Sequence, residues 1–489
     1  MAGAILKALP QTLQLAGVAL AIALVAGFLL AAVATYLRQP WLRNLLLSLP
    51  ALGVSVPVFW VGLLLLQLFS FKLGWLPAMG NGGPASLVLP AVTLAIPTAA
   101  AFAQLLAKSL LASWSQPFVT TALAKGARPL RVHLRHALPN ALIPALTMIG
   151  ISFGQLLAGS VVTETVFSRI GIGRLTEQAV KAQDVPMVQG LVVLSTLVFV
   201  LANFAVDLLY PWPTRALSAA RRATAEEAPP MSEATLAAPT LGTGRRLRLL
   251  SGTAWLRGSL LLAAAVILLA LGWAFFPEWF TSLSPYRTNT ALRLRPPSAE
   301  AWFGTDYLGR DLYTRAVHGA ALSLKATVIA VGIGLLAGCL IGLVAGFAGG
   351  RVEDALMRVV DVLLAIPGLL LSLTIMTVLG FGTVNVAIAV GVSTIAVFAR
   401  VMRAEVLRVK SNLYVEAAMA NGVRWLPNLF RHVLPNAAGP VLALAGLEFG
   451  AAILSVSSLS FLGFGAPPPA PEWGSLVAEG ATTWPPPGG

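Results

Sequence analysis

The chain has 489 residues, of which only 11% are charged and 57% are hydrophobic, and its mean hydropathy is +0.82. A soluble domain has roughly 25% charged residues, so this composition excludes an ordinary soluble protein and indicates an integral membrane protein. The formal net charge of +14 would also suit a nucleic-acid-binding protein, but the basic residues lie in a few segments between apolar runs. This distribution favours a membrane-topology signal, and no nucleic-acid partner is expected.

Ten apolar runs are long enough to cross a bilayer, which takes about 20 helical residues. Hydropathy therefore predicts an all-α polytopic membrane protein. The predicted spans are 13–36, 45–71, 87–112, 140–163, 188–210, 257–276, 322–347, 355–379, 383–407 and 435–462. Membrane helices tolerate proline where neighbouring groups satisfy the freed backbone atoms. The prolines inside or near these spans are Pro50, Pro57, Pro90, Pro97 and Pro367.

The loops between the spans differ in charge. Basic residues concentrate in 113–139, 211–258 and 400–431, and ten spans place these segments on one side of the membrane. The positive-inside rule assigns that side to the cytoplasm, so both chain termini are predicted to lie outside it. No charged segment, short apolar core and cleavage site precede the first span, so we expect no removable signal peptide.

One polar, basic segment occurs twice between apolar runs. Each copy reads Ala-x-Ala-x-Gly and then Leu-Pro-Asn, and Gly126 and Gly422, like Arg135 and Arg431, are 296 residues apart. Small side chains let another surface approach a helix closely, glycine ends a helix, and proline suits the first turn of the next one. A single copy would be read as an ordinary amphipathic connector. Two copies in register favour two docking sites for the same kind of partner.

The chain divides into two related halves. Residues 214–252 are rich in Ala, Thr, Pro and Arg and cannot form a core, which predicts a flexible cytoplasmic linker between 1–213 and 253–489. A weaker similarity follows each repeated loop, where 167–173 matches 459–465 at an offset of 292 residues.

The sequence contains no motif for ATP binding, metal binding or catalysis. The G-x-x-x-x-G-K-[ST] phosphate loop is missing, so the chain is not expected to bind ATP by that route. No Cys/His metal spacing and no catalytic cluster are present, so no cofactor, metal site or enzymatic activity is expected. An ATP-independent channel or a secondary carrier is the alternative to a membrane protein that works with docked partner subunits. The repeated loop discriminates between them, because a channel has no use for two partner-docking loops.

The repeated segment resembles the EAA loop of ABC-transporter permeases. Glu416, Ala417 and Ala418 match the letters of its name, whereas the first copy has Thr120 in place of the glutamate. In that family each loop couples the permease to an ATPase subunit. The resemblance assigns this coupling to Thr120, Ala122, Gly126, Arg128, Pro139, Glu416, Ala418, Gly422, Arg424 and Pro435.

Further motifs resemble the dipeptide/oligopeptide/nickel permeases. The first half is similar to a B-type subunit through 163–168, 171–173 and 184–190, and the second half to a C-type subunit through 303–311 and 459–463, with Glu472-Trp-Gly474 beyond. The resemblance implies a transmembrane domain like that of type I ABC importers, two ABC ATPase subunits and an extracytoplasmic substrate-binding protein. It also implies a multi-pass protein in contact with lipid in the bacterial inner membrane. Dipeptides, oligopeptides, nickel chelates and other peptide-like solutes all remain open as substrates.

The chain departs from that family in three places. A B-type permease has a further span before the segment that begins near Leu6, and a C-type permease has one after Gly474. The chain is therefore expected to be a B–C fusion without the first and last spans. The acidic residue that the family has before its Leu-Ser-Phe-Leu-Gly motif is Val456 here.

The predicted spans contain a glutamate and a regular stripe of glycines. A charge such as Glu448 costs at least ~2.5 kcal/mol on insertion scales, which makes it a candidate for the translocation pathway. A protonated glutamate, or one paired with a backbone group, is the alternative. A stripe of glycines, Gly334, Gly338, Gly342 and Gly346, is interpreted as a helix-packing surface. Outside the spans, 303–311 is expected to brace the span that follows it.

Overall fold

The computed structural model describes residues 2–37, 39–209 and 253–482. The predicted linker 214–252 and the final residues 483–489 lie outside the described residues. The described part consists of helices, turns and loops, with one isolated β-bridge between Thr305 and Asp311. The prediction of an all-α polytopic protein is confirmed.

The first half contains nine α-helices within its described residues. They are α1 (Ala2–Tyr36), α2 (Pro40–Ser55), α3 (Val58–Leu65), α4 (Ala85–Trp114), α5 (Pro117–Ala124), α6 (Pro129–Val132), α7 (Leu138–Val166), α8 (Ile172–Lys181) and α9 (Val185–Leu209). A π-helical turn, Leu66–Lys72, extends α3, and another, His133–Ala137, joins α6 to α7.

Within its described residues, the second half repeats the order of α1 to α8 after one additional helix. Its described α-helices are α10 (Thr253–Phe275), α11 (Leu312–Ala348), α12 (Gly350–Ala365), α13 (Gly368–Leu379), α14 (Thr383–Lys410), α15 (Leu413–Ala420), α16 (Trp425–Asn428), α17 (Leu434–Phe461) and α18 (Trp473–Thr482). Short 3-10 turns, Pro277–Trp279 and Thr290–Leu292, lie between α10 and α11, and a π-turn, Leu429–Val433, joins α16 to α17.

Each of the ten predicted spans corresponds to apolar helix within the described residues. Seven single helices are long and apolar enough to cross a membrane, and α10 contributes a shorter apolar segment, Leu260–Phe275. Two further spans are bent helix pairs, by 100° between α2 and α3 and by 93° between α12 and α13. Pro57 and Pro367 stand at these bends. The residue before each proline is extended, as steric contact with the proline ring requires, and this ends the preceding helix.

The chain forms two compact units. One comprises Met1–Pro211 with Ser323–Gly489, and the other Trp212–Leu322. In the first unit, α1, α4 and α7 pack together, and α14 packs against α12, α13 and α17. The two halves meet within this unit because α13 packs against α7, α8 and α9. A shared apolar core, which includes Val161 and Leu191 of the first half and Leu373 and Val456 of the second, supports that contact.

The glycine stripe of α11 packs against α14. A Cβ atom at Gly338 would overlap the carbonyl oxygen of Ile395, and one at Gly342 would overlap that of Ala399. A Cβ atom at Gly346 would lie 2.9 Å from the Cβ and Cγ1 atoms of Val406. The predicted packing role is confirmed, since only glycine allows the two backbones to approach this closely.

The second unit contains a buried ion cluster where 303–311 meets the start of α11. The Oδ2 atom of Asp306 accepts hydrogen bonds from Arg310 Nε at 2.6 Å and from Arg315 Nη1 at 2.8 Å, and all three side chains are buried. Burial raises the pKa of Asp306, but hydrogen bonds from Arg310 and from the backbone of Leu308 outweigh this, so the pKa is lower than usual. Because Arg315 belongs to α11, the cluster braces the start of that helix, as predicted.

Candidate functional site

The two repeated loops have the same backbone, element by element. Each element of the second loop begins and ends 296 residues after its counterpart in the first. The pairs are α5 and α15, α6 and α16, and the π-turns His133–Ala137 and Leu429–Val433, after which α7 and α17 begin. The sequence repeat is therefore a repeat of structure.

A glycine with positive φ ends the first short helix of each loop. Gly126 has φ 81° and its N–H donates to the carbonyl oxygen of Leu123, while Gly422 has φ 83° and its N–H donates to Met419, both at 2.9 Å. A Cβ atom at either glycine would meet open space. Glycine is therefore required for the left-handed backbone rather than for close packing.

Replacing both glycines with alanine is expected to destabilise each turn by about 1–2 kcal/mol, because a Cβ atom is unfavourable in the left-handed conformation. The two loops should then exchange amide hydrogen roughly 5–30-fold faster, while the spans keep their protection. Hydrogen exchange of the purified chain in detergent measures both. The matched change Gly439→Ala, in α17 where a Cβ also meets open space, should leave loop exchange unaltered.

One valine anchors each loop, and most of the remaining surface is exposed. Val119 and Val415 are the buried residues of α5 and α15. Three apolar side chains in each loop remain between 40% and 55% exposed, at positions that correspond across the repeat. We call them the first triplet and the second triplet. The first triplet is Leu123, Leu130 and Leu134, and the second is Met419, Leu426 and Phe430.

Sequence reasoning missed the triplets. Their signal was present, since an apolar residue recurs at each of the three positions after 296 residues. It was hidden because apolar residues are abundant throughout the chain. Only the structure shows that these six are exposed on a polar loop.

The loop residues singled out from the sequence differ in exposure. Ala122, Ala418 and Pro139 are half-buried, and the carbonyl oxygens of the two alanines accept the N–H of Ala127 and of Val423 at 3.1 Å. The others are exposed, namely Thr120, Gly126, Arg128, Glu416, Gly422, Arg424 and Pro435. Within the described residues, neither Arg128 nor Arg424 has an ion pair, so both guanidinium groups are available to a partner.

The histidines of the loops have different surroundings. His133 is buried, and its Nδ1 accepts a hydrogen bond from Trp114 Nε1 at 2.8 Å. Burial lowers the pKa of His133, and the backbone carbonyl of Ala32, which favours the protonated ring, only partly offsets this. His133 is therefore a structural residue. His136 and His432 occupy corresponding positions, and the carbonyl oxygen of each accepts a bond of 2.7 Å from the asparagine four residues later.

Comparison with known proteins finds the same protein family in both halves of the chain. Residues 23–218 and 338–486 match the family described as binding-protein-dependent transport system inner membrane component. These two segments cover more than half of the chain. The chain belongs to this family. It is a permease subunit of an ABC importer, located in the bacterial inner membrane, and is not itself an enzyme.

The two relatives described next each match less than half of this permease. The dipeptide transport system permease protein DppC of Alkalihalophilus pseudofirmus is 40% identical over 206 residues, covering 42% of this chain and 68% of the relative. The glutathione transport system permease protein GsiD of Pectobacterium atrosepticum is 38% identical over 221 residues, covering 44% and 72%. Among solved structures, the MetNI methionine ABC transporter in inward-facing conformations matches with a TM-score of 0.38 and 19% identity, covering 43% of this chain and 96% of that one.

Glu448 of the permease lies apart from the loops. It is half-buried in α17, fourteen residues beyond the first residue of that helix, or about 21 Å along its axis. Among the described residues it has no hydrogen-bond or ion-pair partner. The structure therefore does not pair it with a backbone group, and its role in translocation stays a prediction.

A cavity of about 580 Å³ lies between the two halves, at the ends of α7 and α17 opposite the loops. Thr165 and Val166 of α7 line it, together with Phe461 and Leu462 at the end of α17. At this level Phe461 stacks on Phe59 of the first half, with ring centroids 4.7 Å apart. Each long helix thus joins a loop at one end to the cavity at the other.

Proposed function

We propose that this permease imports peptides or related small solutes, driven by two separate ATPase subunits that dock on the two loops. An extracytoplasmic binding protein delivers the substrate. The halves 1–213 and 253–489 act as the two permeases of such an importer, and 214–252 tethers them. The names of the relatives, which mention dipeptides and glutathione, support this substrate class.

The repeated loop geometry is the observation that supports two ATPases. Two loops with the same elements in the same order, each with an exposed triplet, suit two copies of one partner. Burying an apolar side chain of this size gains about 1.5–3 kcal/mol, so each triplet provides a sizeable part of a docking energy. The exposed Arg128 and Arg424 add charge at corresponding positions. A channel or secondary carrier has no need for either surface.

The long helices supply a route from the loops to the cavity. Each loop continues through a π-turn into α7 or α17, and that helix ends at the cavity. A helix is stiff along its axis, so a displacement of the loop by an ATPase moves the cavity wall at the other end. In the proposed mechanism this motion opens and closes the path between the halves.

Co-purification tests the docking directly. When the full chain is co-expressed with ABC ATPases of its own organism and isolated in detergent, it should retain two ATPase subunits per chain. A single ATPase per chain, or none under conditions in which the ATPases are folded, would count against the proposal.

The predicted orientation has a separate test. A phosphatase reporter that is active only outside the cytoplasm should be active when fused after Gly489 and silent when inserted in the linker 214–252. This follows from the basic loops, which the positive-inside rule assigns to the cytoplasm. The reverse pattern would show that the span count or the charge argument is wrong.

A further inference from the structure

A short helix follows the long helix of each half, and the two begin alike. α8 and α18 both have 10 residues and both read x-Gly-x-Leu at their start. In each half, the backbone N–H of the first residue of the short helix donates to a hydroxyl group on a long helix, which is α1 in the first half and α11 in the second. Ile172 N–H donates to Thr12 Oγ1 of α1 at 2.8 Å, and Trp473 N–H donates to Ser323 Oγ of α11 at 3.2 Å.

The second residue of each short helix is packed on the backbone of the long helix. A Cβ atom at Gly173 would overlap the backbone of Val161 in α7. One at Gly474 would overlap the carbonyl oxygen of Ser457 in α17. The same two contacts therefore hold the short helix in both halves, although the segment between the long and the short helix is 167–171 in the first half and 462–472 in the second.

In the first half a buried carboxylate completes this junction. Glu164, on the last turn of α7, is 1% exposed. Its Oε1 accepts from Thr12 Oγ1 at 2.6 Å, and its Oε2 accepts from Arg174 N–H, inside α8, at 3.1 Å. A Cβ atom at Gly171 would overlap this carboxylate. Glu164 thus connects α1, α7 and α8.

The second half has no acid at the corresponding position. The offset of 292 residues puts Val456 where the first half has Glu164, and Val456 is buried. A carboxylate nevertheless lies at this junction. Glu472, directly before α18, is 1% exposed, and its Oε2 accepts from Ala466 N–H at 2.8 Å. A Cβ atom at Gly465 would overlap the same oxygen.

We propose that Glu472 is a positioning residue of the permease, whose carboxylate ties the loop after α17 to the start of α18. It supplies in the second half the carboxylate that Glu164 supplies in the first. Glu164 belongs to the long helix α7, whereas Glu472 lies directly before the short helix α18. Its backbone carbonyl also begins α18, accepting from Leu476 N–H at 2.9 Å.

The consequence for transport follows from what the short helices line. Val477 and Ala478 of α18, and Lys181 at the end of α8, all face the cavity between the halves. Fixing both short helices therefore fixes two walls of that cavity. This consequence rests on the proposed function, whereas the anchoring itself does not.

The anchoring is tested by cysteine labelling of the full chain, without ATPases. Cys339 is the single cysteine of the sequence, so Cys339→Ala gives a cysteine-free parent into which Ala478→Cys is introduced. Glu472→Leu keeps the approximate volume but leaves Ala466 N–H without its acceptor. We expect a membrane-impermeant maleimide to label position 478 about tenfold faster in this variant, which corresponds to a loss of about 1.4 kcal/mol.

Three further variants sharpen the result. Glu472→Gln retains an oxygen that can accept from Ala466 N–H, so its labelling rate should stay near the parent's. Adding Val456→Glu to Glu472→Leu restores a carboxylate at the position that the first half uses, and should return the rate toward the parent's. Glu300→Leu is the control, because Glu300 is exposed and lies on the segment between α10 and α11. It should leave the labelling rate unchanged.

A labelling rate in Glu472→Leu within twofold of the parent would overturn the proposal, as would a failure of Val456→Glu to slow the labelling. If Glu472→Leu does not fold, Gly465→Ala replaces it, because its Cβ displaces the carboxylate oxygen. Fast labelling there supports the anchoring, and parental labelling contradicts it. Uptake is measured separately, so an absence of transport would contradict the proposed function while leaving the labelling result intact.

Discussion

ATP-dependent uptake is expected to fall on the order of a thousandfold when Leu134→Glu and Phe430→Glu are combined. Each change removes one member of a triplet and places a charge in a docking surface. Losing the burial of one such side chain costs about 2 kcal/mol, or roughly 30-fold in affinity, and in the proposed mechanism uptake needs both ATPases. Uptake of labelled dipeptide into vesicles, with the ATPases at a fixed concentration, measures the effect.

Either single change should have the smaller, roughly 30-fold effect, because one loop still docks its ATPase normally. Tyr286→Glu is the matched control, since Tyr286 is also aromatic and exposed but lies on the segment between α10 and α11. It should leave uptake unchanged. Normal uptake in the double variant, at normal membrane levels, would show that the triplets are not docking surfaces.

Asp306→Asn is expected to destabilise the start of α11 by about 3–5 kcal/mol, because it removes the buried negative charge that Arg310 and Arg315 share. Amide hydrogens of 303–315 should then exchange at least 100-fold faster. Glu300→Gln, an exposed acid in the same segment, should have no such effect. Unchanged protection at 303–315 would show that the cluster does not brace the helix.

The same cluster gives a pH dependence. The pKa of Asp306 is lower in the folded protein than in the unfolded chain, so its contribution to stability is complete above the unfolded value of about 4. That contribution is lost as the pH falls through the lowered folded value. Protection of 303–315, corrected for intrinsic exchange, should therefore decline below about pH 4 in the parent, and decline less in Asp306→Asn.

The sequence was sufficient for the spans and the loops because both depend on local signals. Hydropathy locates the ten apolar segments, and the repeat locates Gly126 and Gly422. The bends of 100° and 93° could not be obtained in this way, since Pro57 and Pro367 indicate a break but not its angle. Pro90 and Pro97, by contrast, lie inside the single helix α4.

The sequence also could not predict which residues far apart in the chain contact each other in the folded protein. Glu164 pairs with Thr12 across 152 residues, and Trp473 with Ser323 across 150, and no local pattern connects such positions. The sequence has Val456 where the family has an acidic residue, and Val456 also occupies the position that corresponds to Glu164. Glu472 supplies the carboxylate from sixteen residues further along the chain, which only the folded junction shows.

Reconstitution is the most direct test of the central claim, that this chain is an importer driven by two docked ATPases. The purified chain, its two ATPase subunits and the binding protein would be combined in proteoliposomes, and uptake of labelled dipeptide measured with and without ATP. If two docked ATPases drive import, uptake requires ATP and both loops, and it disappears when the ATPases are omitted. Uptake at the same rate without ATPases or ATP would contradict this claim and identify the chain as a channel or secondary carrier.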